Sequence, residues 1–108
     1  MTKIRCTQIE KRIVKIKTQL TEIGEMRPGS LTRQYKKGDR QSSAHYQLSY
    51  THEMKSRTNY IRKDNVSSVR QQIKNYKRFK VLTTEWVALG IEHSQLDMKL
   101  KQAKKADS

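Results

Sequence analysis

From Ile9 onward the apolar residues recur at Ile9, Ile13, Ile16, Leu20 and Ile23, at spacings of 4, 3, 4 and 3. That rhythm lays a single apolar stripe along a helix about two heptads long, the pattern of a coiled-coil seam. Gly24 supplies a helix end, and Arg27-Pro28-Gly29-Ser30 cannot continue a helix, because Pro28 lacks an amide donor and restricts Arg27. The period then drops to two. Tyr46, Leu48 and Tyr50 alternate with Gln47, Ser49 and Thr51, as in a strand with one buried face. A second such run covers residues 56–62, and His52-Glu53-Met54-Lys55 between them predicts a four-residue hairpin loop. Residues 31–37, where Leu31, Arg33 and Tyr35 alternate with polar positions, offer a third strand, and residues 38–44 form a polar loop.

A long helix follows, capped by Asp64 or Asn65, with apolar positions Val66, Val69, Ile73, Tyr76 and Phe79, then Leu82, Trp86, Leu89, His93, Leu96 and Leu100. Around Tyr76, Phe79 and Leu82 the steps shorten to 3 and 3. Either the seam rotates there or the helix exchanges a sheet for another helix as partner. Gly90 weakens the pattern by about 1 kcal/mol relative to alanine. The expected fold is α+β: an N-terminal helix (residues 1–26), a small basic antiparallel hairpin or three-stranded sheet (27–63), and a long C-terminal helix (64–108) with coiled-coil-like pairing. All three belong to one compact domain. The first half of the long helix packs on the sheet, and its second half pairs with the N-terminal helix, within one chain or between two.

Charge sharpens this picture. Residues 31–80 carry 13 Lys/Arg against 3 Asp/Glu, whereas residues 81–108 carry 4 against 4. A basic middle beside a neutral helical end suggests a binding module joined to an interaction module. The partner that gains most from such a field is a polyanion, because each neutralised phosphate releases condensed counterions. No apolar run approaches the roughly 18 to 20 residues that span a bilayer, and the N-terminus lacks the apolar stretch of a signal peptide, so a cytoplasmic protein is expected, without a membrane partner. Cys6 cannot form an internal disulfide and reads as an unreactive thiol on the first helix.

The first candidate surface lies on the long helix, where Arg70, Lys74 and Lys77 share a face with Gln71, Asn75 and Arg78 beside them, while Ile73 and Tyr76 turn to the core. Lys and Arg suit phosphates, and Gln, Asn or Arg suit base edges. The plainer reading is a solvated helix face. A second candidate is the hairpin, with Lys55, Arg57, Arg62 and Lys63, supplemented by Arg33, Lys36, Lys37 and Arg40. Arg57 and Asn59 alternate with Thr58 and Tyr60, so one face is expected to be polar and positive and the other buried. Such a ribbon suits a nucleic-acid groove, and equally it suits edge protection. Tyr35, Tyr46, Tyr50 and Tyr60 are candidates for stacking on unpaired bases, with core packing favoured for Tyr46 and Tyr50. Trp86 reads as an interface anchor, and His93 as a polar seam residue that sets register.

His45, His52 and His93 are not at metal-ligand spacings, and neither a Gly-rich phosphate loop nor an acidic cluster occurs. No enzyme activity, cofactor or metal site is expected.

Several segments carry a resemblance: Gly29-Ser30-Leu31-Thr32-Arg33-Gln34-Tyr35, Tyr46-Gln47-Leu48-Ser49-Tyr50-Thr51, Lys55-Ser56-Arg57-Thr58 with Tyr60-Ile61, and Val66 through Val69-Arg70-Gln71-Gln72-Ile73-Lys74-Asn75-Tyr76-Lys77-Arg78-Phe79. Together, over about half the chain, this pattern resembles an uncharacterised family of small prokaryotic proteins associated with mobile elements and transposases. Members of that family often carry a cysteine cluster after the Gln-Tyr pair, suggestive of a metal-binding knuckle. Residues 36–44 contain no cysteine here, and Arg62 stands where a proline is common. The resemblance therefore implies a mobile-element setting, with the relatives' metal site absent or replaced. The order of short strands followed by a helix is also similar to the arm-type DNA-binding domains of some tyrosine integrases, a likeness of topology alone.

The expectation from sequence is a non-enzymatic nucleic-acid-binding protein, an accessory factor of a mobile element that favours DNA over RNA. Its helical ends would serve for homodimerisation or docking. The alternative is a protein-interaction adaptor or a structural subunit of a larger RNA-containing nucleoprotein complex.

Overall fold

The alternation from Tyr46 and the heptad-like stripes both become the elements they predict. The computed structural model describes residues 2–34 and 45–106. Its elements run α1 (Thr2–Thr21), β1 (Ser30–Gln34), β2 (His45–His52), β3 (Lys55–Ile61), a 3₁₀ turn (Lys63–Asn65) and α2 (Val66–Ala106). This is the expected α+β order, with the sheet in its three-stranded form. Asp64 and Asn65, the two expected caps, both lie in the 3₁₀ turn that leads into α2. Tyr35 and the polar loop at 38–44 lie outside the described residues. The chain divides into two compact units, one of Met1–Ile23 and Phe79–Ser108, the other of Gly24–Arg78.

In the helical unit, α1 buries Cys6, Ile9 and Ile16, and α2 buries Leu82. The remaining seam positions, among them Ile13, Leu20, Trp86, Leu89 and Leu96, are half-buried. The two helices run antiparallel, since Arg5 pairs with Glu92 and Arg12 with Glu85. His93 Nε2 lies 3.0 Å from Glu10 Oε1, which ties this seam position to one register. The Lys17 ammonium sits 5.4 Å from the centroid of Trp86. At the end of α1 the amides of Glu22 and Ile23 donate to the carbonyls of Gln19 and Leu20, both at 3.2 Å, tightening the last turn before Gly24. Through Gly90 the second helix is unbroken, and nothing lies within 4 Å of the position its Cβ would take.

In the sheet unit the strand order is β1-β2-β3, antiparallel throughout. Register places Leu31, Leu48 and Asn59 in one row, with Arg33, Tyr46 and Ile61 in the row on one side and Tyr50 and Arg57 on the other. Residues directly opposite share a face, so these rows form one side of the sheet. Leu48, fully buried, clusters with Val69 and Ile73 of α2, and Leu31, Tyr50 and Ile61 pack around them. The expected core roles of Tyr46 and Tyr50 hold in part, as both rings are half-buried. Where the apolar steps shorten, α2 passes from the sheet unit to the helical unit, between Arg78 and Phe79. The helix changes partner there.

Two sequence expectations are corrected. The hairpin loop is a two-residue turn, because His52 and Lys55 form the last paired rung. Glu53 and Met54 take φ of 52° and 66°, the doubly positive arrangement that matches strand twist. The β3 faces are also the reverse of those predicted. Arg57 and Asn59 share the side of Leu48, whereas Thr58 and Tyr60 lie on the opposite, open side. Tyr60 is 75% exposed. Only its end residue, Ile61, is partly buried, so β3 offers no apolar alternation to reveal its inner face.

Candidate nucleic-acid interface

The connector that leads into β1 is held to α2 by polar contacts. Arg27 donates its amide to the Gln72 carbonyl at 3.2 Å, and its guanidinium lies 5.0 Å from the Tyr50 ring centroid. Asn75 donates from Nδ2 to the Glu25 carbonyl at 2.8 Å, and Gln72 from Nε2 to the Glu25 carboxylate at 3.2 Å. Gln71 in turn donates to Asn75 Oδ1 at 3.0 Å. Asn75, expected beside the basic row as a base reader, is therefore occupied in binding the connector.

On the other side of the first turns of α2 lies a hollow of about 410 Å³. It is lined by Lys63, Ser67, Arg70, Gln71 and Lys74, with half-buried Tyr46 and buried Val66. Helical spacing brings Ser67, Arg70 and Lys74 onto one face, and the 3₁₀ turn adds Lys63. The Arg70 guanidinium carbon is 6.0 Å from the Tyr46 ring centroid, at the outer limit of a cation–π contact. Arg33 stands directly across from Tyr46 on β1. The first turn of α2 contains no acidic residue that would compete for these cations.

Lys63, Arg70 and Lys74 have no carboxylate partner among the described residues, whereas the helical unit pairs its arginines. There Arg5 donates from Nε and Nη2 to Glu92 at 2.6 and 2.9 Å, and Arg12 likewise to Glu85 at 2.5 and 2.7 Å. These bidentate hydrogen bonds hold both carboxyls below the usual glutamate range and raise both guanidiniums.

The structure thus brings together Lys63, Arg70 and Lys74, with Arg33 beside Tyr46. Lys77 and Arg78 continue along α2, both exposed. Arg62 follows β3 and precedes Lys63. Lys55 and Arg57 do not join the group: they lie at the turn end of the hairpin, and Arg57 is about 13 Å along β3 from Ile61 at the strand rise of ~3.3 Å per residue. Lys36, Lys37 and Arg40 lie outside the described residues. Ser67 and Tyr46 enter the hollow without having been singled out for it. Ser67 was legible in principle, since it precedes Arg70 by three residues on the same helical face.

Compared with family models, curated proteins and solved structures, the chain matches none. The chemistry open to the site follows from its groups alone. Three cations, a hydroxyl and an amide around a concave surface suit an anion with several acceptor oxygens. Among the described residues no three of His, Cys, Asp and Glu come together in a way that would hold a metal ion. No described helix is long and apolar enough to cross a membrane.

Proposed function

We propose that this protein binds nucleic acid without catalysing a reaction on it, and that the hollow beside the first turns of α2 is the centre of its phosphate-binding surface. One observation carries this reading: Lys63, Arg70 and Lys74 converge on one concavity with no carboxylate partner among the described residues, in a unit that bears 13 Lys/Arg against 4 Asp/Glu. Unpaired cations repel one another and gain from phosphate contacts, which release counterions. Lys77 and Arg78 extend the surface along the helix, and Arg62 extends it toward the hairpin. The mobile-element role and the preference for DNA rest on the family resemblance of the segments between Gly29 and Phe79. A cytoplasmic site belongs to the same proposal.

Fluorescence anisotropy with duplex DNA, single-stranded DNA and structured RNA of matched length, at low and near-physiological salt, tests it. Binding to at least one form is expected to survive the higher salt. Replacing Arg70, Lys74 and Lys77 together by Gln is expected to weaken duplex binding and to flatten its log–log salt slope by about 0.9 per lost phosphate contact. Unchanged affinity and slope would remove this face from the site.

A second reading is an adaptor that docks a protein through the helical unit. It is favoured by Val87, Ile91 and Met98, which stand exposed at helical spacing beside a half-buried seam. Light scattering separates the outcomes: a monomer without nucleic-acid affinity would place the adaptor first.

A further inference from the structure

The open side of the sheet is made almost wholly of uncharged hydrogen-bonding groups. Ser30 and Thr32 of β1, Gln47 and Ser49 of β2, and Thr58 and Tyr60 of β3 share it by register. Within this polar surface Tyr60 is the exception, with 75% of its surface in solvent. A tyrosine spent on strand packing would bury its ring against apolar neighbours. This one stands beside Gln47 in its own row, and its ring lies 5.8 Å between centroids from the imidazole of His45, tilted by 59°.

Cations frame the pair. Arg62 follows β3 in extended backbone, at φ −66° and ψ 146°, and Lys63 next to it lines the phosphate hollow. Successive residues thus lead from the aromatic pair, through Arg62, to the hollow.

We infer that Tyr60, with His45 beside it, is a stacking platform for unpaired bases of a single-stranded polynucleotide whose backbone passes Arg62 and Lys63 to reach the hollow. This rests on the nucleic-acid reading above and adds the form of the partner. Every base has a π-face, so an exposed ring accepts any sequence, and hydroxyls and amides around it can meet base edges without imposing charge. A duplex keeps its bases stacked on one another and is stiff over about 150 base pairs, so it cannot offer a base to the open face while its backbone turns into the hollow. A single strand bends through that path.

The test uses the full chain with Tyr60→Ala and Tyr60→Phe, titrated against oligo-dT, oligo-rU and a duplex of equal length. Tyr60→Ala is expected to weaken single-strand binding about 5- to 150-fold, the equivalent of one lost base stack. Tyr60→Phe is expected to stay near wild type, and duplex binding to be the same in all three proteins. The dT and rU arms show whether the strand is DNA or RNA. Because the side chain is exposed, circular dichroism of Tyr60→Ala is expected to match wild type. Single-strand affinity unchanged in Tyr60→Ala, or lost in parallel with duplex affinity, would overturn the platform. A wild type that binds duplex alone also overturns it and leaves the nucleic-acid reading standing, whereas one that binds no polynucleotide overturns both.

Discussion

Gly29 has a φ of 147°, a conformation that L side chains rarely adopt, and a Cβ built on it would meet Leu48 Cδ1 at 2.5 Å and Cγ at 3.2 Å. Leu48 is fully buried at the centre of the sheet unit, so it has no free volume in which to retreat. Gly29→Ala combines backbone strain with overpacking and is expected to destabilise by roughly 2 kcal/mol or more, read as a lower midpoint in urea. The hairpin turn predicts the opposite sign. Glu53 and Met54 both hold positive φ without being glycine, and Met54 is 97% exposed, so no packing compensates. Glu53→Asn with Met54→Gly installs the pair that this turn favours, and a gain of about 1 kcal/mol in the same denaturation is expected. The His52–Glu53 contact that the change removes is 3.6 Å long and solvent-exposed, hence of little weight. An unchanged midpoint would mean that the flanking strands, rather than the turn, set the conformation.

At the scale of elements, the antiparallel pairing of α1 with the later part of α2 combines a partly buried stripe with two bidentate ion pairs. Glu85 and Glu92 titrate below their ordinary value because Arg12 and Arg5 hydrogen-bond the charged form. A carboxyl lowered in the folded state adds stability that is complete above its unfolded pKa, about 4.3 for Glu, and that disappears as pH falls through the lower folded value. The wild type is therefore expected to melt higher than Arg5→Gln/Arg12→Gln at neutral pH, and the difference should close as pH falls below about 4. A difference that persists into strong acid would assign it to packing of the arginine stems. Element existence was legible because the stripes and the Tyr46–Tyr50 alternation place apolar residues on one side at the period of their structure. The partner change of α2 was legible in the shortened steps around Phe79. Which side of β3 faces α2 was not, because six of its seven residues are exposed and strand pairing alone decides the matter. The hollow was legible only in part. Arg70 and Lys74 share a helical face, but Lys63 joins them through a 3₁₀ turn that no periodicity announces. The tight turn stayed hidden for a related reason, since Glu-Met carries none of the glycine or asparagine that normally marks positive φ.

For the molecule as a whole, the formal charge of +14 is managed differently in its two units. The helical unit neutralises arginines within its own helix pair, whereas the sheet unit leaves Lys63, Arg70 and Lys74 without carboxylate partners among the described residues. Like charges three and four residues apart on a helix destabilise it by about 0.2 to 0.5 kcal/mol per pair, and the row Arg70, Lys74, Lys77 contains two such pairs. Repulsion of this kind is a stability cost that an anionic partner or screening by salt relieves. Replacing the three residues by Gln should therefore have two effects of opposite sign. The free protein is expected to gain up to about 1 kcal/mol at an ionic strength near 10 mM, where the Debye length is ~30 Å, and to gain almost nothing near 1 M, where it is ~3 Å. An oligonucleotide raises the melting temperature by binding the folded state, and that rise is expected to be large for the wild type and small for the variant at low salt. Melting both proteins with and without the oligonucleotide at the two salt concentrations measures all four quantities. If the variant is no more stable alone but still loses the ligand-induced rise, the cations contact the ligand without repelling one another, and the charge of this face is relieved by some group other than a bound polyanion.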